Sequence, residues 1–142
     1  MSQFLEVFRP PFGAPDAALP SGKRYRVIDR TTTWARRLAP FACTAIVVLS
    51  LLPGTYRPHT GASGNFEHVL AYAGTGLLLA LGWAVARTWR GPVFLSAAAA
   101  LLEVAQIWIP GRSAGLDNWA ASTFGATLGV VLAAAWVLRR NR

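Results

Sequence analysis

Polar side chains occur at helical spacings within stretches of this sequence that are otherwise apolar. His68 and Tyr72 are four residues apart, and Glu103 and Gln106 are three apart, so each pair lies on one face of an α-helix. Glu67 is beside His68 but faces elsewhere. Glu103 is the only acid well inside any of these stretches, where a carboxylate must be paired or protonated. Such side chains can bind a polar headgroup, or pass a proton between His68 and Glu103.

Three more polar residues follow in the next turn and at the start of the last apolar stretch. Arg112 can be an ordinary loop arginine or the structural partner of Glu103. Asp117 or Asn118 can be a simple helix N-cap. The predicted cluster is either a ligand site or a set of polar contacts that hold the helices together. It comprises His68, Tyr72, Glu103, Gln106, Arg112, Asp117 and Asn118.

The cluster lacks the groups that catalysis and metal binding require. No serine, threonine or cysteine has a clear base partner, so no nucleophile is predicted. Cys43 is the only cysteine, and the histidines and acids have no metal-ligand spacing. We therefore predict no catalytic residue, no metal and no cofactor, and we do not expect an enzyme.

The stretches that carry these residues are typical of membrane-spanning helices. Hydrophobic residues make up 54% of the 142 residues and charged residues only 14%, below the share of about a quarter in soluble domains. Each stretch is close to the roughly 20 residues that a helix needs to cross a bilayer. The sequence predicts an all-α integral membrane bundle of four transmembrane helices, at about residues 34–52, 66–85, 92–109 and 118–138. Because the connections are short, consecutive helices are expected to be antiparallel neighbours.

Lysine and arginine decide the predicted orientation. Of the 14 basic residues, seven precede or open the first stretch, two lie between the second and third, and three follow the fourth, so twelve lie on one side. Only Arg57 and Arg112 lie on the other side. By the positive-inside rule the twelve face the cytoplasm, and both termini lie there. Topology thus accounts for the net charge of +8, and no nucleic-acid partner is predicted.

Residues 1–33 differ from the rest because they hold four prolines and scattered charges. We predict a flexible, proline-rich cytoplasmic tail there, followed by the transmembrane domain over residues 34–142. The alternative is that the apolar residues of 4–8 lie on the membrane surface or dock on a partner.

Small residues recur every four positions in the fourth stretch and along one side of the second. This spacing lets helix backbones approach closely in lipid, inside one chain or between two. Because four helices need contacts among themselves, we expect the contact to be internal, although the pattern also fits a homo-oligomer. The predicted packing residues are Gly76, Ala80, Ala121, Gly125 and Gly129.

The order and spacing of these motifs resemble those of the VanZ-like family. The motifs are His68-x3-Tyr72, Glu103-x2-Gln106, Pro110-Gly111-Arg112, an acid, and the glycine-spaced last helix. The resemblance implies a small protein of the bacterial inner membrane and cell envelope, and the namesake of the family is linked to resistance to the glycopeptide teicoplanin. Two places differ from the family pattern. Gly64-Asn65 stand where an Asp-Lys pair is common. Asn118 and Ser122 stand where an acid and an asparagine are usual, with Asp117 one place early.

We expect a VanZ-like protein that recognises a lipid-linked glycan or a glycopeptide-type ligand at the outer leaflet. Glu103 and Arg112 would anchor the ligand, with Gln106 as a hydrogen-bonding partner. His68 and Tyr72 would orient it. The alternative is a structural accessory subunit of a larger membrane protein complex, which the altered positions favour. A proton or solute transporter is less well supported, because no polar path continues to the cytoplasmic side and no internal repeat is evident.

Overall fold

The computed structural model describes residues 23–56, 61 and 63–142, with side chains from residue 30 onward. The four helices are α1 (Lys23–Leu51), α2 (Gly64–Gly82), α3 (Arg90–Gln106) and α4 (Leu116–Arg140). Short 3-10 helices at Gly54–Tyr56 and Ala84–Arg87 lie in the first and second connections. No strand occurs in these residues, so the predicted all-α class is confirmed for the described part of the chain.

The first helix is longer than the predicted span. It begins at Lys23, inside the segment 1–33 that the sequence analysis assigned to a flexible tail. Residues 23–33 contain neither proline nor glycine, so no residue type among them stops a helix. The rest of the predicted tail, including its apolar residues at 4–8, lies outside the described residues.

Two of the four helices are long and apolar enough to cross a membrane, namely Arg30–Leu51 of α1 and Leu116–Arg140 of α4. The third has 17 residues and is about 25 Å long at 1.5 Å per residue, short of a hydrocarbon core of about 30 Å. The second carries Asn65, Glu67 and His68 in its first turns, which lowers its hydropathy. The four-span topology therefore stays a prediction.

The largest interface joins α2 and α4, which run in the same direction. Gly125 lies against Val69 and Gly129 lies against Ala73, so both helices advance together along the contact. The expected antiparallel neighbours, α1 with α2 and α3 with α4, also pack, but α2 and α3 barely touch. Small residues explain why the α2–α4 interface is the largest, because glycines on both helices let their backbones approach closely.

The interior of the bundle is made mostly of small and polar side chains, and its large apolar members are Tyr72, Leu95 and Val130. Ala80, Ala126 and Ala133 are fully buried, and Thr75 and Ser122 are 1% exposed. Most large apolar side chains instead point outward, on all four helices, which reverses the arrangement of a soluble protein. Examples are Phe41 at 73% exposed, Leu70 at 57%, Leu101 at 72% and Phe124 at 63%.

Arginine side chains from other elements close the carboxyl end of α2. Arg36 of α1 donates from Nε to the Gly82 carbonyl at 2.8 Å, and Arg87 donates to the Ala80 carbonyl at 2.8 Å. The last carbonyls of a helix have no partner within the helix, and they carry its negative dipole end. Both needs are met by the two guanidinium groups, which tie α1 and the α2–α3 connection to α2.

Candidate functional site

The predicted polar cluster lies at the end of the bundle where α2 and α4 begin. Ser122 Oγ of α4 lies 3.2 Å from His68 Nδ1 of α2. One turn earlier, Asn65 Nδ2 donates to Asp117 Oδ2 at 3.3 Å. Because α2 and α4 are parallel, their first turns face each other, and these two bonds form a polar seam across the interface. Asp117 therefore belongs to the seam, with a partner that the sequence analysis had not assigned to the site.

Tyr72 continues this seam inward. Its ring stacks on that of His68 with centroids 6.5 Å apart, and the side chain is only 3% exposed. The Tyr72 hydroxyl lies beside the Ser122 side chain and near the Glu103 carboxylate of α3. The spacing of four between His68 and Tyr72 thus places both rings on one face, as expected. Ser122 joins two of the predicted residues although the sequence identified it only as a departure from a pattern.

Glu103 is buried, at 8% exposed, and its carboxylate holds the start of α4. Gly115 donates its backbone N–H to Glu103 Oε2 at 2.8 Å, and Gly115 is the N-cap residue of α4. The positive dipole end of α4 stabilises a carboxylate at this place. The expectation that Asp117 or Asn118 is the N-cap is therefore wrong. The reason is that Glu103 meets this helix start from another element, while Asn118 Nδ2 donates to the Ser113 carbonyl at 3.3 Å.

Arg112 closes the carboxyl end of α1. Its guanidinium donates from Nε to the Leu52 carbonyl at 3.0 Å and from Nη2 to the Leu49 carbonyl. The turn that carries Arg112 is docked against the connection after α1, because Gly54 donates its N–H to the Pro110 carbonyl at 3.1 Å. A side chain on Gly54 would not fit, since its Cβ would lie 3.2 Å from the Gly111 Cα and closer to other atoms of Gly111.

Gln106 lies deeper than a ligand can reach. It is 2% exposed, and its Nε2 is buried without a hydrogen-bond partner among the described residues. A buried donor without a partner costs about 1–3 kcal/mol. Gln106 and Glu103 are both buried, as their spacing of three on one helix face allows, but only Glu103 also borders a surface hollow.

A groove of about 460 Å³ runs between α1 and α2. Its upper end, near the first turns of α2, is bordered by Glu67, His68 and Arg112. Glu67 was expected to face away from His68, yet both side chains border the same groove. The lower walls are apolar or small, and they include Ala42, Ala45, Ile46, Leu70, Gly74 and Leu78. The groove therefore has a charged head end and an apolar lower part.

A second hollow, of about 390 Å³, lies between α3 and the start of α4. Glu103 and Trp119 contribute to its walls, together with Gly115 and apolar residues. The polar groups in it are already bonded, because Glu103 accepts from Gly115 and Trp119 Nε1 donates to the Ser96 carbonyl at 3.2 Å. His68 and Arg112 of the groove are bonded as well, so bonding does not separate the two cavities. The groove between α1 and α2 is the better candidate for a ligand because it joins a charged end to an apolar lower part.

The small residues predicted for packing lie in the α2–α4 interface. A Cβ on Gly76 would lie 2.7 Å from the Ala126 carbonyl oxygen, and a Cβ on Gly125 would lie 2.9 Å from the Val69 Cα. Ala80 is fully buried in the same interface, against Val130 and Ala133, whereas Ala121 is half-buried. These contacts are within one chain.

No family model, no curated protein and no solved structure matches this chain. The VanZ-like resemblance therefore stays a prediction that rests on the motif residues. The geometry brings His68, Tyr72 and Glu103 together, and it places Arg112 on the far side of the groove from α2. Asp117 instead accepts a hydrogen bond from Asn65 across the α2–α4 interface, and Asn118 makes a local bond at the start of α4.

Proposed function

We propose that this chain is a VanZ-like protein of the bacterial inner membrane that binds a lipid-linked glycan at the outer leaflet. All four helices cross the bilayer in this proposal, and both termini lie in the cytoplasm. Its support is the outward-facing apolar surface of every helix, including α2 with Phe66 and Leu70 and α3 with Phe94 and Leu101. Water would make such a surface costly, whereas lipid tails cover it without loss.

The observation that carries the proposal is the groove between α1 and α2. A lipid-linked ligand has a polar head and an apolar tail, and the groove offers a charged end above walls of alanine, leucine and isoleucine. An opening between two helices also lets a lipid enter sideways from the bilayer. The tail would lie along Ala45 and Leu78, with the head between His68 and Arg112.

The head end is held in place before any ligand arrives. The Arg112 guanidinium is held by the Leu49 carbonyl of α1 and by the Leu52 carbonyl just after α1, and the His68 ring is held by Ser122. Groups whose orientation is already settled lose less side-chain entropy when a ligand binds. A guanidinium suits a phosphate that links lipid to sugar, while Glu67 and His68 suit sugar hydroxyls.

The experiment fills the groove without disturbing the bundle. Gly74 lies on the groove, and a Cβ built there would meet nothing within 4 Å, so Gly74→Leu should fold and block the lower part. Ala97→Leu on the exposed face of α3 is the matched control. We expect native mass spectrometry after mild extraction to find a co-purifying lipid on the wild type and on Ala97→Leu, but not on Gly74→Leu. Equal lipid on all three would refute the groove as the site.

A second function is favoured by the bonds at Glu103 and Arg112. Both groups hold helix ends, so the polar cluster also fits a structural accessory subunit of a larger membrane complex. In that case gentle purification would recover a protein partner in fixed ratio, and Gly74→Leu would leave the complex intact. A single chain or a dimer that carries only lipid would exclude this alternative.

A further inference from the structure

Among the described residues, four arginine–tryptophan pairs surround the end of the bundle opposite the charged end of the groove. This end holds the carboxyl ends of α2 and α4 and the start of α3, and Arg36 of α1 reaches it through the Gly82 carbonyl. In each pair the guanidinium carbon lies over the indole ring, at 4.6–5.9 Å from the ring centroid. The pairs, called the Arg–Trp ring below, are Arg36–Trp83, Arg37–Trp34, Arg90–Trp89 and Arg140–Trp136.

The charge at this end has no acidic counterpart among the described side chains. The acids whose side chains the structure describes are Glu67, Glu103 and Asp117, and all three lie at the groove end. Arg36 and Arg87 donate to α2 carbonyls, whereas Arg37, Arg90 and Arg140 are exposed. An exposed cluster of cations with no acid beside it among the described side chains attracts anions.

We propose that the Arg–Trp ring binds the phosphate groups of anionic phospholipids in the leaflet that it faces. Tryptophan favours the headgroup level of a membrane, and a guanidinium binds a phosphate through paired N–H donors. Stacking on the indole holds each guanidinium in place, so less entropy is lost when a phosphate binds. This proposal depends on the proposed membrane location of the protein, but it does not depend on the groove or on a ligand of the groove.

The two arginines at the end of α4 provide a matched test. Arg140 is stacked on Trp136, whereas its neighbour Arg139, equally exposed in the same turn, is not among the stacked arginines of the described residues. Removing one basic residue that contacts an anionic membrane surface lowers the affinity for that surface about fivefold. We therefore expect Arg140→Gln to weaken binding of phosphatidylglycerol about fivefold and Arg139→Gln to weaken it less than twofold. Trp136→Leu, which keeps both charges, should fall between them.

The measurement is native mass spectrometry of the full chain in neutral detergent, titrated with phosphatidylglycerol or with phosphatidylcholine. Preferential binding of phosphatidylglycerol, with the order of variants given above, supports the proposal. Equal binding of the two lipids, or equal loss in Arg139→Gln and Arg140→Gln, would overturn it. Displacement of the lipid by millimolar inorganic phosphate would overturn the assignment to a headgroup and indicate a site for phosphate itself.

The same titration separates this proposal from the proposed function. Gly74→Leu should bind phosphatidylglycerol as the wild type does, because Gly74 is in the wall of the groove, about 12 Å along α2 from the carboxyl end that the ring surrounds. Loss of phosphatidylglycerol binding in Gly74→Leu would refute the Arg–Trp ring as a separate site. A failure of the groove experiment with the arginine results intact would remove only the groove ligand.

Discussion

Two glycine-to-alanine changes on facing helices should alter stability in opposite directions. Gly129 of α4 lies against α2, and a Cβ there would be 2.8 Å from the Leu77 backbone nitrogen and 2.9 Å from the Ala73 carbonyl carbon. Carbon contacts are most favourable at about 3.5–4.0 Å, so α4 must move away from α2 to admit the methyl group. Gly74 is the control, because a Cβ there meets nothing within 4 Å.

The sizes of the two effects follow from these distances. Alanine favours a helix interior over glycine by about 1 kcal/mol, so Gly74→Ala should stabilise the protein by about that amount. Overpacking costs about 1–3 kcal/mol, and Gly129→Ala belongs at the upper end because the atoms it meets are backbone. After the helix gain is subtracted, Gly129→Ala should destabilise by about 2 kcal/mol. The two variants should differ by about 3 kcal/mol.

The assay is reversible unfolding of each variant in mixed micelles, with sodium dodecyl sulfate added to dodecyl maltoside and helicity followed by circular dichroism. We expect the midpoint to rise for Gly74→Ala and fall for Gly129→Ala. Equal shifts would refute the close α2–α4 contact. A normal midpoint for Gly129→Ala, combined with a loss of dimer in gel filtration, would instead place the glycines between two chains.

Three further substitutions, at two positions, test the buried polar groups of the cluster. Gln106→Met should raise the unfolding free energy by about 1 kcal/mol or more, because it removes a buried donor without a partner; a lower thermal midpoint would show that the Gln106 amide is bonded after all. Glu103→Leu should destabilise by about 1–3 kcal/mol because the Gly115 N–H loses its acceptor, and Glu103→Gln by less since it keeps an acceptor oxygen. If Glu103→Gln folded normally but lost the co-purifying lipid, Glu103 would have to contact the ligand directly.

Local spacing in the sequence was enough to predict the helices and the shared faces. The apolar stretches gave the four helices in order, and the spacing of four placed His68 and Tyr72 on one face. The start of α1 was missed because the charged residues of 23–33 do not form an apolar stretch, although they are free of helix breakers.

The partners of the polar residues depend on how the helices are arranged, which spacing does not contain. The contact of α2 with α4 brings Ser122 to His68 and Asn65 to Asp117, and no local pattern links those positions. The roles of Glu103 and Arg112 also depend on helix ends from distant parts of the chain. The same reason explains why the sequence did not predict the groove, since the two walls of the groove are on different helices.

The bonds at Arg112 decide which substitutions can reveal a ligand site. Removing Arg112 would leave the Leu49 and Leu52 carbonyls at the end of α1 without their donor, and that loss alone costs about 1–3 kcal/mol where the carbonyls are shielded from water. A loss of activity in Arg112→Ala would therefore fit both the lipid-binding and the accessory-subunit proposals. The Gly74 position makes no such bond and is exposed in the groove wall. A substitution there can therefore block ligand binding without disturbing the fold, so its effect distinguishes a loss of binding from a loss of stability.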